Sequence, residues 1–123
     1  MARDTKISLD YFPLCCVLDD KFELIEAEFG LKGFAIVVKL LQRIYGTFGY
    51  YCEWNKDGEL LFSRKCGEGC NVVVEVVNRC FDRGLFDRSL HKKYQILTSH
   101  GIQQQYLKSS DRRKDSVDRK SVV

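Results

Sequence analysis

Lys32-Gly33-Phe34-Ala35-Ile36-Val37-Val38-Lys39-Leu40-Leu41-Gln42-Arg43-Ile44-Tyr45 is the stretch on which the fold turns. Placed at about 100° per residue, Phe34, Ile36, Val37, Val38, Leu40, Leu41, Ile44 and Tyr45 point in nearly every direction. Only a narrow polar strip of Lys32, Ala35, Lys39, Gln42 and Arg43 is left. A helix this apolar around its circumference belongs in the middle of a core, so other elements must wrap it and Phe34 is expected to be a buried aromatic.

Upstream, Asp19 or Asp20 can accept the free N–H groups of a helix start, with Glu23 at capping-box spacing from Asp20. Phe22, Ile25 and Phe29 mark one face of that short first helix, and Gly30 stops it. Downstream, Gly46 and Gly49 break the central helix, Tyr50 to Trp54 reads as a strand, and Asn55-Lys56-Asp57-Gly58 as a turn. Glu59 to Cys66 predicts a third helix with Leu61, Phe62 and Cys66 inward. Asn71 can cap a fourth, whose inward face is Val73, Val76, Val77, Cys80 and Phe81 and which Gly84 closes. Two short helices joined by a glycine-containing turn form a helix-turn-helix candidate. Leu85-Phe86-Asp87 and Gln95-Ile96-Leu97-Thr98 read as two strands flanking a charged excursion, Arg88 to Tyr94, which is the shape of a wing. Thr98 or Ser99 can cap a last helix carrying Ile102 and Tyr106. The expected fold is mainly α with a small β-wing, a winged helix-turn-helix.

With 123 residues there is room for one hydrophobic core, and 45% hydrophobic against 30% charged residues is a globular composition. The domain is placed at 1–107, with 108–123 as a charged helical extension or linker. No apolar run approaches a membrane span, and Met1-Ala2-Arg3-Asp4 is unlike a secretory leader, so a cytoplasmic protein without membrane contact is expected. In that compartment the six cysteines are read as thiols rather than as a disulfide framework. The net charge of +3 resides in the tail, where from Lys108 onward six basic residues face three acidic ones. The body before it is neutral, so any anion-binding face on it must come from local segregation.

Two segments could supply such a face. On the fourth helix Asn71, Glu75, Asn78, Arg79 and Asp82 point outward with Arg83 at the edge, and Asn78 and Arg79 are side-chain types that read adenine and guanine edges. The two acids there would meet phosphate with like charge, so a plain solvated face remains an equal reading. In the wing, Arg83, Arg88, Lys92 and Lys93 lie with only Asp82 and Asp87 for acids, a patch that can hold phosphates without reading sequence. The tail run Arg112-Arg113-Lys114 is a further place for phosphate contact. Asn78, Arg79, Arg83, Arg88, Lys92 and Lys93 are therefore the DNA-contact candidates.

Cys66 and Cys70 have the spacing of half a zinc site, but no second pair completes it, and no metal or other cofactor is expected. Paired acids sit at helix starts, where the helix dipole explains them, and no nucleophile elbow is present. The reading is of a non-enzyme.

Several strings converge on one family: Leu9-Asp10-Tyr11-Phe12-Pro13-Leu14, Glu23 to Leu41 (ELIEAEFGLKGFAIVVKLL), Gly49-Tyr50-Tyr51, Leu60 to Lys65, Arg83 to Asp87, and Ile96 to Tyr106 (ILTSHGIQQQY). Together they resemble the winged-helix N-terminal domain of Gram-positive and phage-borne proteins similar to the DnaD primosome family of replication initiators. The resemblance covers roughly residues 9 to 106 and speaks mainly to fold. It implies participation in loading a replicative helicase, through DNA contact, self-association into a homo-oligomer, or both. Longer members carry a separate C-terminal domain with much of the DNA binding, and helicase loading is not expected of these 123 residues alone. Two functions are thus expected as alternatives: a DNA-binding module using the six residues above, or a primosome-like assembly module contacting its partner through Tyr11, Phe12, Tyr50 and Tyr51.

Overall fold

The computed structural model describes residues 7–110. Its elements run α1 (Asp20–Phe29), α2 (Leu31–Thr47), β1 (Cys52–Glu53), α3 (Lys56–Cys66), α4 (Cys70–Arg83), α5 (Arg88–Tyr94) and β2 (Ile96–Leu97), followed by helix again over 100–110, here α6. The fold is mainly helical with one small antiparallel sheet, in which Cys52 pairs with Leu97 and Glu53 with Ile96.

Helix α2 is the centre, as its apolar circumference requires. Ile36, Val37, Leu40, Ile44 and Tyr45 are buried, and α1 and α4 pack against it. Each such side chain removed from water contributes about 1.5–3 kcal/mol, so this one helix organises much of the core. Phe34 departs from expectation. It is only partly buried, set against the core with its ring 5.3 Å from that of Phe22 on α1.

Helix boundaries follow their caps. Asp19, rather than Asp20, caps α1, its carboxylate accepting from Lys21 N–H at 2.7 Å. Asn55 caps α3 by accepting from Gly58 N–H, so the stretch read as a turn is the helix's first turn and α3 begins three residues early. That start fixes which side chains face in: Phe62 and Ser63 are buried, while Leu60 and Leu61 are 59% and 56% exposed. Leu61 is thus an outward residue, contrary to the inward position expected for it. Helix α4 starts at Cys70 with Gly69 as cap, which puts Asn71 inside the first turn rather than before it. Its inward face is as read, with Val73, Val76, Val77, Cys80 and Phe81 all buried. Gly84 ends it at φ 82°, a left-handed conformation that lets Leu85 N–H return to Cys80 C=O at 2.9 Å.

The segment read as a wing is built differently from the expected pair of strands around a loop. Leu85 to Asp87 forms no strand, and its one ladder-like bond runs from Asp87 N–H to Thr98 C=O at 2.8 Å. Arg88–Tyr94, the supposed excursion, is helix α5. Asp87 nucleates it by accepting from Leu90 N–H at 3.1 Å, and Gln95 ends it at φ 59°. His91 then fastens it to the sheet, its Nε2–H donating to Trp54 C=O at 3.0 Å while its ring lies 5.0 Å from that of Phe81. At the start of α6, Ser99 accepts from Ile102 N–H, and buried Thr98 instead donates to Tyr50 C=O. Helix α6 runs unbroken through Leu107 and Lys108, and Arg112-Arg113-Lys114 lies outside the described residues.

Candidate nucleic-acid interface

Helices α3 and α4, joined by Gly67-Glu68-Gly69, pack on one another and place the helix-turn-helix candidate at the surface. On α4, Glu75, Asn78 and Asp82 are exposed and Arg79 is half-buried. The reason for that partial burial is α1, which lies along this flank of α4. Arg79 Nε is 2.7 Å from Glu28 Oε2, a charge contact off the line of a well-formed hydrogen bond, and Arg79 Nη1 donates to Asp82 Oδ2 at 3.1 Å. Arg83 Nη2 is 3.6 Å from the other oxygen of Glu28. Arg88 Nη2 donates to Asp82 Oδ1 at 2.6 Å, and its guanidinium lies over the Phe81 ring at 5.6 Å. Three expected DNA contacts are thus joined to two carboxylates in one chain running from α1 through α4 to α5. The Arg88 hydrogen bond, aided by the charges of Arg88 and Arg79, holds the Asp82 carboxyl below its usual range against a smaller opposing effect of desolvation.

Lys92 and Lys93 are placed otherwise. Both are exposed on α5, and neither meets an acid within ion-pair distance among the described residues. Lys93 Nζ stands 5.5 Å from the centroid of the exposed Tyr94 ring. Their position in the last turn is favoured by the helix dipole, and Arg88–Asp82 and His91–Trp54 fix the helix that carries them. The geometry therefore divides the six candidates: Arg79, Arg83 and Arg88 are tied internally, whereas Asn78, Lys92 and Lys93 face solvent.

The aromatic residues offered for self-association are mostly engaged in ring contacts within the chain, with Phe12 and Tyr51 half-buried and Tyr50 exposed. Phe12 stacks on Tyr45 at 4.9 Å, Tyr51 on Phe48 at 4.7 Å, and Tyr50 lies between Tyr51 and Tyr106. Tyr11 alone of the four is wide open at 86% exposure, next to Leu14 and Val17. Cys66 and Cys70 are both half-buried, and among the described residues no three His, Cys, Asp or Glu side chains converge as a metal-binding group.

A cationic cleft between α2 and α3 was not anticipated. The polar strip of α2 is visible in the sequence, but what faces it is not: Lys39, Gln42 and Arg43 open onto Phe62, Lys65 and Cys66 of α3 across a hollow of about 330 Å³.

Residues 11–102 match the family described as Lin1244/Lin1753-like, N-terminal. A protein of Listeria innocua serovar 6a, named as the uncharacterized phage-related protein Lin1244/Lin1753, is 43% identical over 119 residues. That alignment takes in 95% of this chain and 39% of the relative, so the chain spans about two fifths of the length of the curated protein it matches. No solved structure matches the chain.

Proposed function

The chain belongs to the Lin1244/Lin1753-like N-terminal family, and we propose that it is the DNA-binding winged-helix domain of a phage-related replication-initiation protein. The observation that carries this reading is the state of Lys92 and Lys93, two exposed cations that meet no acid among the described residues, on a helix fixed at both its first turn and its middle. A phosphate contact needs such groups, because a cation already neutralised by a carboxylate releases little further counterion on binding. Helix α5 is then the principal backbone contact, with Asn78 on α4 available to base edges. Arg88 then holds α5 against α4 through Asp82, while Arg79 and Arg83 tie α4 to Glu28 of α1. Participation in assembly with a replicative helicase or its loader extends the same proposal to the longer protein.

The second reading, self-association, is favoured by the open apolar side chains of Tyr11, Leu14 and Val17. Titration of duplex and single-stranded DNA at two salt concentrations, beside light scattering for mass, separates the two. Salt-sensitive binding by a monomer supports DNA contact. A stable dimer indifferent to DNA supports assembly.

A further inference from the structure

The cleft between α2 and α3 has a chemistry distinct from that of α5. Three of its lining side chains, Lys39, Arg43 and Lys65, are cationic, Gln42 and Thr47 add polar groups, and no carboxylate lines it. Some cations elsewhere on the described surface are answered by acids, Lys32 by Glu68, Arg79 and Arg83 by Glu28, and Arg88 by Asp82, whereas Lys92 and Lys93 on α5 are not. Among the described residues Lys39, Arg43 and Lys65 have no such partner. Arg43 is moreover half-buried beside Cys52, whose thiol burial pushes up to about 12 against the opposing charge of the guanidinium. A guanidinium that meets no acid among the described residues keeps its donors for whatever enters the hollow, and its planar fork suits two oxygens of one phosphoryl group. Lys39 and Lys65, from facing helices, are point charges able to close over the same anion.

We propose that this cleft is a phosphate-binding site, with the half-buried Arg43 as the central donor and the exposed Lys39 and Lys65 as flanking cations. At about 330 Å³ the hollow admits one phosphoryl group with its attached sugar or solvent rather than a whole duplex groove. The phosphate can come from a nucleic-acid strand or from a free phosphate compound. This site stands apart from the α5 contact proposed above, and each can fail without the other.

Inorganic phosphate titrated into the full chain at constant ionic strength, followed by amide NMR shifts, tests the cleft directly. Saturable shifts at Thr47, Lys65 and Cys66 are expected, and their loss in the double variant Lys39→Gln/Lys65→Gln, whose exposed side chains are not needed for folding. Lys92→Ala/Lys93→Ala should leave those shifts intact. The source is read from oligothymidylate binding across salt. If a strand supplies the phosphate, Lys39→Gln/Lys65→Gln lowers the magnitude of the salt slope by about 1.4. An unchanged slope, with saturable phosphate shifts in wild type that Lys39→Gln/Lys65→Gln abolishes, assigns the site to a free phosphate compound. Absence of saturable shifts, or shifts that persist in Lys39→Gln/Lys65→Gln, overturns the proposal. Arg43→Lys, which keeps charge but loses the fork, should weaken phosphate binding several-fold with the chain still folded.

Discussion

Arg79 on α4 reaches across to Glu28 on α1 at 2.7 Å, so the side chain best suited by type to read a guanine is held by the domain's own first helix. The same carboxylate lies 3.6 Å from Arg83. Its removal should therefore strengthen DNA binding. Glu28→Gln is expected to steepen the salt slope on duplex DNA by about 1, as a released arginine becomes available to phosphate. Because the pair is partly exposed, the accompanying stability loss should stay under about 1 kcal/mol. Binding isotherms across salt check the first outcome and urea denaturation the second. Weaker binding by Glu28→Gln would show that Arg79 and Arg83 act on DNA from their paired positions.

Asp82 links α4 to α5 through Arg88 at 2.6 Å, and its folded carboxyl titrates below the unfolded value of 3.8. A depressed carboxylate contributes stability above the unfolded pKa and loses it as pH falls through the folded one. Asp82→Asn should accordingly be less stable than wild type at neutral pH, with the difference closing below 3.8. Denaturation midpoints measured over that range decide it, and a difference independent of pH would assign the effect to packing.

The centre of the core is set by burial rather than by residue size. Leu40 is fully buried and Phe34 only partly so, and Leu40→Ala should cost about 2–5 kcal/mol, the range for emptying a core aliphatic site. Phe34→Ala should cost less than the roughly 3 kcal/mol that begins the range for a core phenylalanine. Chemical denaturation ranking Phe34→Ala above Leu40→Ala would contradict the placement of α1 on α2.

Two glycines near the end of α2 should respond oppositely to alanine. Gly49 has φ 94°, and a Cβ there would run into Ile7 C=O and the Tyr106 ring, so Gly49→Ala should lose well over 1 kcal/mol. Gly46 is helical with open space around its Cα, and Gly46→Ala should gain about 0.5 kcal/mol. Thermal midpoints of the two variants suffice.

The contrast between α4 and α5 explains what was legible in the sequence. Val73, Val76, Val77, Cys80 and Phe81 recur at helical spacing, and that local periodicity fixes a face without knowledge of its neighbours. Arg88 to Tyr94 is too short and too charged for periodicity to speak. The available signal was Asp87 three residues before Leu90, a cap that outweighs the excursion suggested by the charges. Leu61 was misplaced for a related reason, since Asn55 starts α3 early and sets its inward face on Phe62 and Ser63. The pairing of Glu28 with Arg79, and the facing of Lys39 and Arg43 by Lys65, depend on how helices far apart in the chain dock. No pattern within one sequence carries that information.

The central claim, that α5 is the DNA contact, is tested most directly by the salt dependence of duplex binding for wild type and for Lys92→Ala/Lys93→Ala. Each lysine that displaces one condensed counterion adds about 0.9 to the slope, so the double variant should flatten it by about 1.8 and lose affinity uniformly across sequences. Arg88→Ala, already paired with Asp82, should change the slope by well under 0.9. A Lys92→Ala/Lys93→Ala protein that binds duplex DNA with wild-type affinity and slope, while a chain ending at Ser110 loses binding, would contradict the account and move the contact into residues 111–123.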